Sequence, residues 1–519
     1  MQPMSKFMSK QPVSSLLLLA LGAFSVLGFA PYYFYPATIV SLMALCYCWY
    51  ISASIRQTAY DGFMYGLGMF GVGIYWIYIS LHTFGGMPAL MAAFSTLILT
   101  AFMALFPAVV GMLSKRFFAG GHVLMAAAIP LLWGLSDWVR SWIFTGFPWL
   151  TIGYSQVPSS FLAGYAPVIG IYGVTTLTVL VASLAGLLFV RGHSQSIGRR
   201  RVMGVLLILF VAGGLLKQVN WSESVGQPIR VSLLQGNIAQ DIKWNPEIAN
   251  QTIHQYLSMA AQSSAKLIVM PETALPIIAS EVPAEIPSQL RQIALRNQGD
   301  ILVGLIERER HPDLGDTEYY NSVLNFGGDQ VAAYRKSHLV PFGEFIPLKV
   351  AFGWIYRDWL DMPLSDLSRG EKYQQPMQVA GEKVAVNICY EDVFGEEIIR
   401  QLPAATLLVN VSNDAWYGNS YAADQHMQFS QARALETGRM MLRATNTGAT
   451  AIIDHKGHVV AHAPHFVQTS LDGTAQGYAG TTPYVAWGNW PFVIMSCFGL
   501  LILLWRRNTI NLLLDCKTK

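Results

Sequence analysis

Apolar residues run along this chain in long blocks at its start and once more near its end, with short broken runs between. A helix needs about 20 mostly apolar residues to cross a bilayer. Blocks of that kind cover roughly residues 12–29, 36–54, 62–81, 88–113, 122–144, 160–190, 202–217 and 488–505. The pattern predicts seven helices before a long polar stretch and one after it. The 160–190 block holds Pro167, Gly170 and Gly173, so its first part is expected to be loop or kinked helix. The first block follows Lys6 and Lys10, as the core of a secretory signal would. Further spans follow and no small-x-small cleavage site stands out, so a retained helix is expected.

Between 218 and 487 the period changes. Residues 229–234, 267–270, 301–306, 322–325, 331–335, 384–388 and 407–411 read as strands, and 246–264 and 422–442 as helices. Residues 449–454 and 458–462 form an expected hairpin around His455-Lys456-Gly457. Strands mixed with helices predict layered α/β packing. The expected division is a seven-helix transmembrane domain over 1–217, an α/β domain over 218–487, and a last transmembrane helix with its tail over 488–519.

Composition supports the membrane reading. Of 519 residues, 53% are hydrophobic and only 13% charged, against about 25% charged in soluble proteins. A net charge of +3 gives no footprint for nucleic acid. The position of the basic residues matters more. Lys6, Lys10, Arg56, Lys115, Arg116, Arg191, Arg199, Arg200, Arg201, Arg506, Arg507, Lys517 and Lys519 all fall on one side if every block crosses. The opposite loops 31–36 and 82–87 carry no Lys or Arg, and Arg140 is the exception. Cytoplasmic loops collect basic residues, so both termini are expected in the cytoplasm and 218–487 on the other side. Of five cysteines, Cys46, Cys48 and Cys497 lie in apolar stretches and Cys516 lies near the end, leaving Cys389 in the polar part. No disulfide framework is expected.

Three expected strand ends carry reactive groups: Glu272 in Val-Met-Pro-Glu-Thr-Ala, Lys336 and Glu344 in Tyr-Arg-Lys-Ser-His-Leu-Val-Pro-Phe-Gly-Glu, and Cys389, Tyr390 and Glu391 in Val-Asn-Ile-Cys-Tyr-Glu-Asp. Active groups of α/β proteins gather where strands end and loops begin. In this order and context, residues 228–480 resemble the nitrilase superfamily, whose catalytic set is Glu, Lys and Cys. With seven spans before the domain and one after it, nearly the whole chain resembles the apolipoprotein N-acyltransferase family. Lys-Trp at 243–244 after Gln-Gly-Asn, Pro-Glu-Thr at 271–273, Arg-Lys at 335–336, Pro-Phe-Gly-Glu at 341–344 and Cys-Tyr-Glu at 389–391 carry that likeness. It implies a polytopic α-helical membrane protein of the bacterial inner membrane, with a periplasmic α/β nitrilase-like domain folded as an αββα sandwich. It also implies no cofactor, a phospholipid as acyl donor, a diacylglyceryl-modified apolipoprotein as acceptor, and membrane lipid as surroundings.

The residue chemistry agrees. A cysteine attacks as thiolate, and a free thiol has a pKa of about 8.5. Glu272 can take the proton and return it to the leaving alcohol, while Lys336 faces the thiolate and the oxyanion. Glu344 either orients Lys336 or serves as a second carboxylate. Glu391 and Tyr390 are expected near the thiol because they adjoin it. Trp244 either lines the acyl or acceptor path or packs in its loop. Residues 345–364 are unusually apolar, with Trp354 and Trp359, and read as a membrane-dipping arm or as a buried helix. His426 reads as structural or partly exposed. His455, His458, His462 and His465 show no convincing ligand arrangement in sequence, so no zinc site is expected. Two other functions remain open on these residues: a membrane-tethered amidase using water, and a receptor or transporter whose outer domain only binds. The intact Glu–Lys–Cys set argues against the last.

Overall fold

The computed structural model describes residues 11–190, 196–311, 316–327, 332–346 and 366–517. It divides into two compact units, one of residues 1–75, 93–219 and 487–519, the other of residues 76–92 and 220–486.

The first unit is helical: Gln11–Ser25, Tyr35–Ile51, Ile55–Gly73, Ala89–Phe118, His122–Arg140, Ala166–Leu187, Ser196–Leu216 and Trp490–Lys517 account for its main elements. Its outer faces are apolar. Phe94, Leu97 and Ile98 are exposed on one helix, and Leu207, Ile208, Val211 and Leu215 on another. A face of that kind is stable only against lipid or another apolar surface. Inside, small residues bring backbones together. A Cβ on Gly22 would stand 1.9 Å from the Tyr65 carbonyl oxygen, and one on Gly68 1.9 Å from that of Leu19. Such close crossings are how helices associate where no hydrophobic drive exists between them.

Among the described residues, four helices are long and apolar enough to cross a membrane, or five if the bent pair Ile55–Gly73 and Trp76–Phe84 counts as one span. Ser15–Gly28 and Tyr35–Ile51 are shorter apolar helices, and Ser196–Leu216 turns apolar only after Arg201. The eight expected spans thus correspond to helices, but not all have full crossing length. The 62–81 block is not one helix: it stops at Gly73, and the piece from Trp76 clusters with the other unit. The expected break in 160–190 is present, as a 3₁₀ turn over Phe161–Tyr165 and a left-handed Gly170 within Ala166–Leu187. Arg140, the exception among the basic residues, is buried. It pairs with Asp137 at 3.0 Å and donates to the carbonyls of Phe147 and Trp149 at 2.8 and 2.6 Å.

Among its described residues the second unit holds twelve strands: β1 (Ser222–Gln235), β2 (Leu267–Val269), β3 (Asp300–His311), β4 (Asp316–Asn325), β5 (Ala332–Arg335), β6 (Met377–Val379), β7 (Glu382–Ile388), β8 (Leu407–Ser412), β9 (Met441–Thr445), β10 (Ala451–Ile453), β11 (Val459–His462) and β12 (Thr469–Gly480). They form two six-stranded sheets, β12-β1-β2-β3-β4-β5 and β11-β10-β9-β8-β7-β6. Alternation along the strands explains the layers. Val231, Leu233, Val269 and Leu302 of one sheet pack on Val386, Ile388, Val409 and Leu442 of the other. The opposite faces, with Leu234, Ile268 and Ile301, pack on helices Pro246–Gln262 and Glu285–Arg296. Ala385, Leu408 and Met441 pack on helix Ala422–Thr437. The result is the αββα sandwich.

One expected element needs correction. The helix read over 422–442 ends at Thr437, where Gly438 takes φ 64° and stops it. Met441 and Leu442 instead begin β9, between β8 and β10. Of the apolar arm, Phe345 closes a tight turn by accepting from the Phe342 amide at 2.9 Å; Trp354 and Trp359 lie outside the described residues.

Candidate active site

The three candidate residues stand where β2, β5 and β7 end. β2 leads through Met270 and Pro271 to Glu272, and Thr273 then takes φ 46°. β5 leads directly to Lys336, whose amide donates to the Asn321 carbonyl at 2.8 Å. β7 leads to Cys389 at φ 53°, beside β8, whose end supplies Ser412 and Asn413.

These ends converge. Lys336 is 1% exposed, and its Nζ lies 2.9 Å from Glu344 Oε1 and 3.4 Å from Glu272 Oε1. Burial works against its charge. Glu344, Glu272 and Cys389 more than offset this and hold the ammonium protonated above the usual lysine range. Glu272 Oε1 accepts from Asn321 Nδ2 at 2.7 Å, and its Oε2 from the Asn413 amide at 2.9 Å. Asn321 Nδ2 also donates to Glu344 Oε1 at 2.9 Å. Glu344 Oε2 accepts from the Val340 amide at 2.8 Å, so this carboxylate is fixed on both oxygens. Burial and the charge of Glu272 push the Cys389 thiol well above its ordinary range, while Lys336 pulls it down. The sulfur therefore rests as a thiol, with a base and a cation beside it.

Glu391 is buried and serves the backbone. Its Oε1 accepts from the Ser337 amide at 2.7 Å, Ser337 Oγ at 3.0 Å and the His338 amide at 3.1 Å. Its Oε2 accepts from the Ile388 amide at 2.7 Å and Tyr334 Oη at 3.0 Å. It thus ties the residues after Lys336 to the residue before Cys389. Burial raises its pKa, and the amides of Ile388 and Ser337 pull it back. Tyr390 is also buried, edge-on to Phe394 with ring centroids 5.1 Å apart. Trp244 is half-buried in the turn before helix Pro246–Gln262.

Several neighbours go beyond the sequence reading. Lys243 is buried, with Nζ 2.5 Å from Thr273 Oγ1 and 3.3 Å from the Glu272 carbonyl. Burial lowers its pKa to about 8, against the pull of Glu272. Beneath Cys389 lies a charged cluster. His426 is fully buried rather than partly exposed; its Nδ1 lies 2.8 Å from Asp414, and its Nε2 2.9 Å from Asp392 and 3.1 Å from the Cys389 carbonyl. Arg443 bonds to the same two aspartates at 2.8 and 3.1 Å. Burial and Arg443 disfavour the imidazolium, but the aspartates prevail and raise His426 to about 9. The segment Trp76–Phe84 lies against the turn Asp414–Tyr417. Ser80 Oγ donates to the Trp416 carbonyl at 2.7 Å, and the rings of Trp76 and Tyr417 are 4.7 Å apart. Asp414 follows a buried run that visibly ends in polar residues; Asn321, in the middle of β4, has no such mark in sequence.

Residues 21–184 match the family model of the apolipoprotein N-acyltransferase N-terminal domain, and residues 230–484 that of carbon-nitrogen hydrolase. The chain is 48% identical to an apolipoprotein N-acyltransferase of Nitrosomonas europaea, over 93% of this chain and 95% of the relative. It is 42% identical to one of Chromobacterium violaceum, covering 94% and 93%. A third, of Methylococcus capsulatus, is 40% identical and covers 96% of each.

Proposed function

We propose a reaction from the premise that the chain belongs to the apolipoprotein N-acyltransferase family. The protein is an acyltransferase of the membrane, and it N-acylates the N-terminal diacylglyceryl-cysteine of apolipoproteins. The observation that carries the mechanism is the buried convergence of Glu272 and Lys336 beside the Cys389 thiol.

Cys389 Sγ attacks the ester carbonyl of a phospholipid as its proton passes to Glu272. The tetrahedral oxyanion develops beside the Lys336 ammonium, where a fixed positive group is worth ~3–4 kcal/mol in the transition state. The C–O bond breaks, Glu272 returns the proton to the leaving oxygen, and lysophospholipid departs. The acyl chain remains as a thioester on Cys389. The acceptor's α-amino group, with a pKa near ~8, then attacks the thioester. Glu272 takes the amine proton, the C–S bond breaks, and the proton returns to the sulfur. Glu344 positions Lys336, and Glu391 positions both strand ends. Tyr390, beside the sulfur, and Trp244, at the edge of the site, contact substrate, and Trp354 and Trp359 extend the lipid path on the strength of their sequence pattern. The catalytic unit faces the periplasm, so the acyl donor arrives laterally from the bilayer.

The test supplies labelled phospholipid without acceptor. Label should collect on Cys389, survive mild acid, yield to hydroxylamine, and move to an added lipoprotein amine as a stable amide. Cys389→Ala, Glu272→Ala and Lys336→Ala should each abolish labelling in folded protein. Amide formed only with both substrates present, and no labelled enzyme at any stage, would favour direct transfer and remove the covalent role of Cys389.

A further inference from the structure

Away from the thiol, the second unit brings Asp424, His462 and His465 together, with one ligand atom of each within 4.8 Å of the others. Asp424 stands in the first turn of helix Ala422–Thr437, His462 ends β11, and His465 sits in the loop that follows. Their spacing in sequence gives no sign of this, because β9 and β10 lie between the helix of Asp424 and the two histidines.

The loop is rigid. The Ala463 amide donates to the Thr450 carbonyl at 2.9 Å, and the Phe466 amide to that of Thr447 at 2.6 Å. Gln235 Nε2 donates to the carbonyls of Pro464 and Val467, both at 2.8 Å. The His465 ring rests against Gly448, where a Cβ would stand 2.5 Å from Nδ1. His465 Nε2 lies 3.4 Å from Asp424 Oδ1. Two imidazoles and one carboxylate on fixed backbone, half open to solvent, form the donor set that first-row transition cations take with water in the remaining positions. Mg²⁺ and Ca²⁺ prefer all-oxygen shells.

We propose that Asp424, His462 and His465 form a zinc-class divalent metal site on the α/β unit. The ion bonds Oδ of Asp424 and one ring nitrogen of each histidine, and displaces any proton shared between His465 and Asp424. It joins the start of helix Ala422–Thr437 to the end of the β10–β11 hairpin. The buried cluster of Cys389, Asp414 and His426 is a poorer host, since both nitrogens of His426 already bond to aspartates.

The experiment uses the full chain in detergent without a histidine tag, titrated calorimetrically with ZnCl₂ and by visible absorption with Co²⁺. One equivalent should bind and raise the melting temperature, as any ligand selective for the folded state does, whereas Mg²⁺ should do neither. His462→Ala and Asp424→Asn should each weaken zinc binding at least tenfold. Gly448→Ala, which keeps all three ligands but forces the His465 ring aside, should weaken it in the same direction. Cys389→Ala should bind as wild type. Stoichiometric binding that survives His462→Ala, or is lost in Cys389→Ala, overturns the assignment. So does a wild-type protein that takes up no zinc.

Discussion

At Cys389 the backbone leaves β7 with φ 53°, which costs a residue with a side chain roughly 1–2 kcal/mol. Glu391 holds that turn and the loop after Lys336 with one carboxylate. Glu391→Gln keeps the shape but points an amide N–H₂ at a backbone N–H whichever way it turns, Ser337 and His338 on one side and Ile388 on the other. It should cost about 2–3 kcal/mol of stability and slow acylation of Cys389 about 100-fold through misplacement. A melting curve and single-turnover labelling read the two effects separately; a lower melting temperature with unchanged acylation would confine Glu391 to stability. The cluster beneath the thiol predicts a pH dependence. His426 titrates near 9 when folded and near ~6.5 when unfolded. Its contribution, about 3 kcal/mol, is full below pH ~6.5 and is lost as pH rises toward 9. Lys243 acts oppositely, since the cost of burying its charge is relieved as pH rises above about 8. Melting temperatures between pH 6.5 and 8 should therefore fall in the wild type and stay flatter in His426→Gln; equal slopes would remove His426 from the cause. Glu272, Lys336 and Cys389 are legible in sequence because each closes a short apolar run with a reactive group. Asp392, His426 and Arg443 are not, because their neutralisation of one another and of Asp414 exists only once β7, β8, β9 and a helix are assembled.

Elements place these groups by close backbone contact. Gly304 of β3 lies under the turn that carries Glu272, where a Cβ would stand 2.3 Å from the Pro271 carbonyl oxygen and 2.8 Å from Glu272 Cα. Backbone cannot yield as a side chain can, so Gly304→Ala should shift Glu272 and lower kcat/KM about 100-fold, with circular dichroism unchanged. Gly473→Ala in β12 is the control, since its Cβ would meet the flexible tip of Ile452 at 2.4 Å and should leave kcat/KM within about twofold. Equal losses in both would trace the effect to general sheet damage. Strands buried on both faces, such as β2, β7 and β8, are legible as apolar runs. β12 is not: Thr469–Gly480 alternates small and polar residues, most of them partly exposed, and gains its place by pairing with β1 along most of its length. The 422–442 pattern misleads because the chain passes from a buried helix to a buried strand within a few residues, and only Gly438 marks the change.

For the whole molecule, exposed basic residues and interfacial aromatics set the expected side of the membrane for each segment. Arg199, Arg200, Arg201 and Arg506 are exposed, so they count in a charge asymmetry. Arg140 is buried against Asp137 and carries no weight in it. Trp490 at the start of the last helix and Trp505 fifteen residues on are each about two-thirds exposed. At 1.5 Å per residue, Trp490 to Trp505 spans about 22 Å, inside a hydrocarbon core of about 30 Å and within reach of its aromatic borders. The last helix is thus expected to cross once, with Arg506 and Arg507 at the cytoplasmic end. Alkaline phosphatase, active only in the periplasm, should be active when fused after Lys217 and inactive after Lys519. It should also be inactive after Arg56 and after Arg116. The short helices at the start make the sharper case. If Ser15–Gly28 and Tyr35–Ile51 both cross, a fusion after Pro31 is active. If they form a hairpin that enters and leaves on the cytoplasmic side, that fusion is inactive and every later one is unchanged, because two crossings are removed together. An active fusion at both Lys217 and Lys519 would contradict the crossing of the last helix, and an inactive fusion after Lys217 would overturn the periplasmic placement of Cys389.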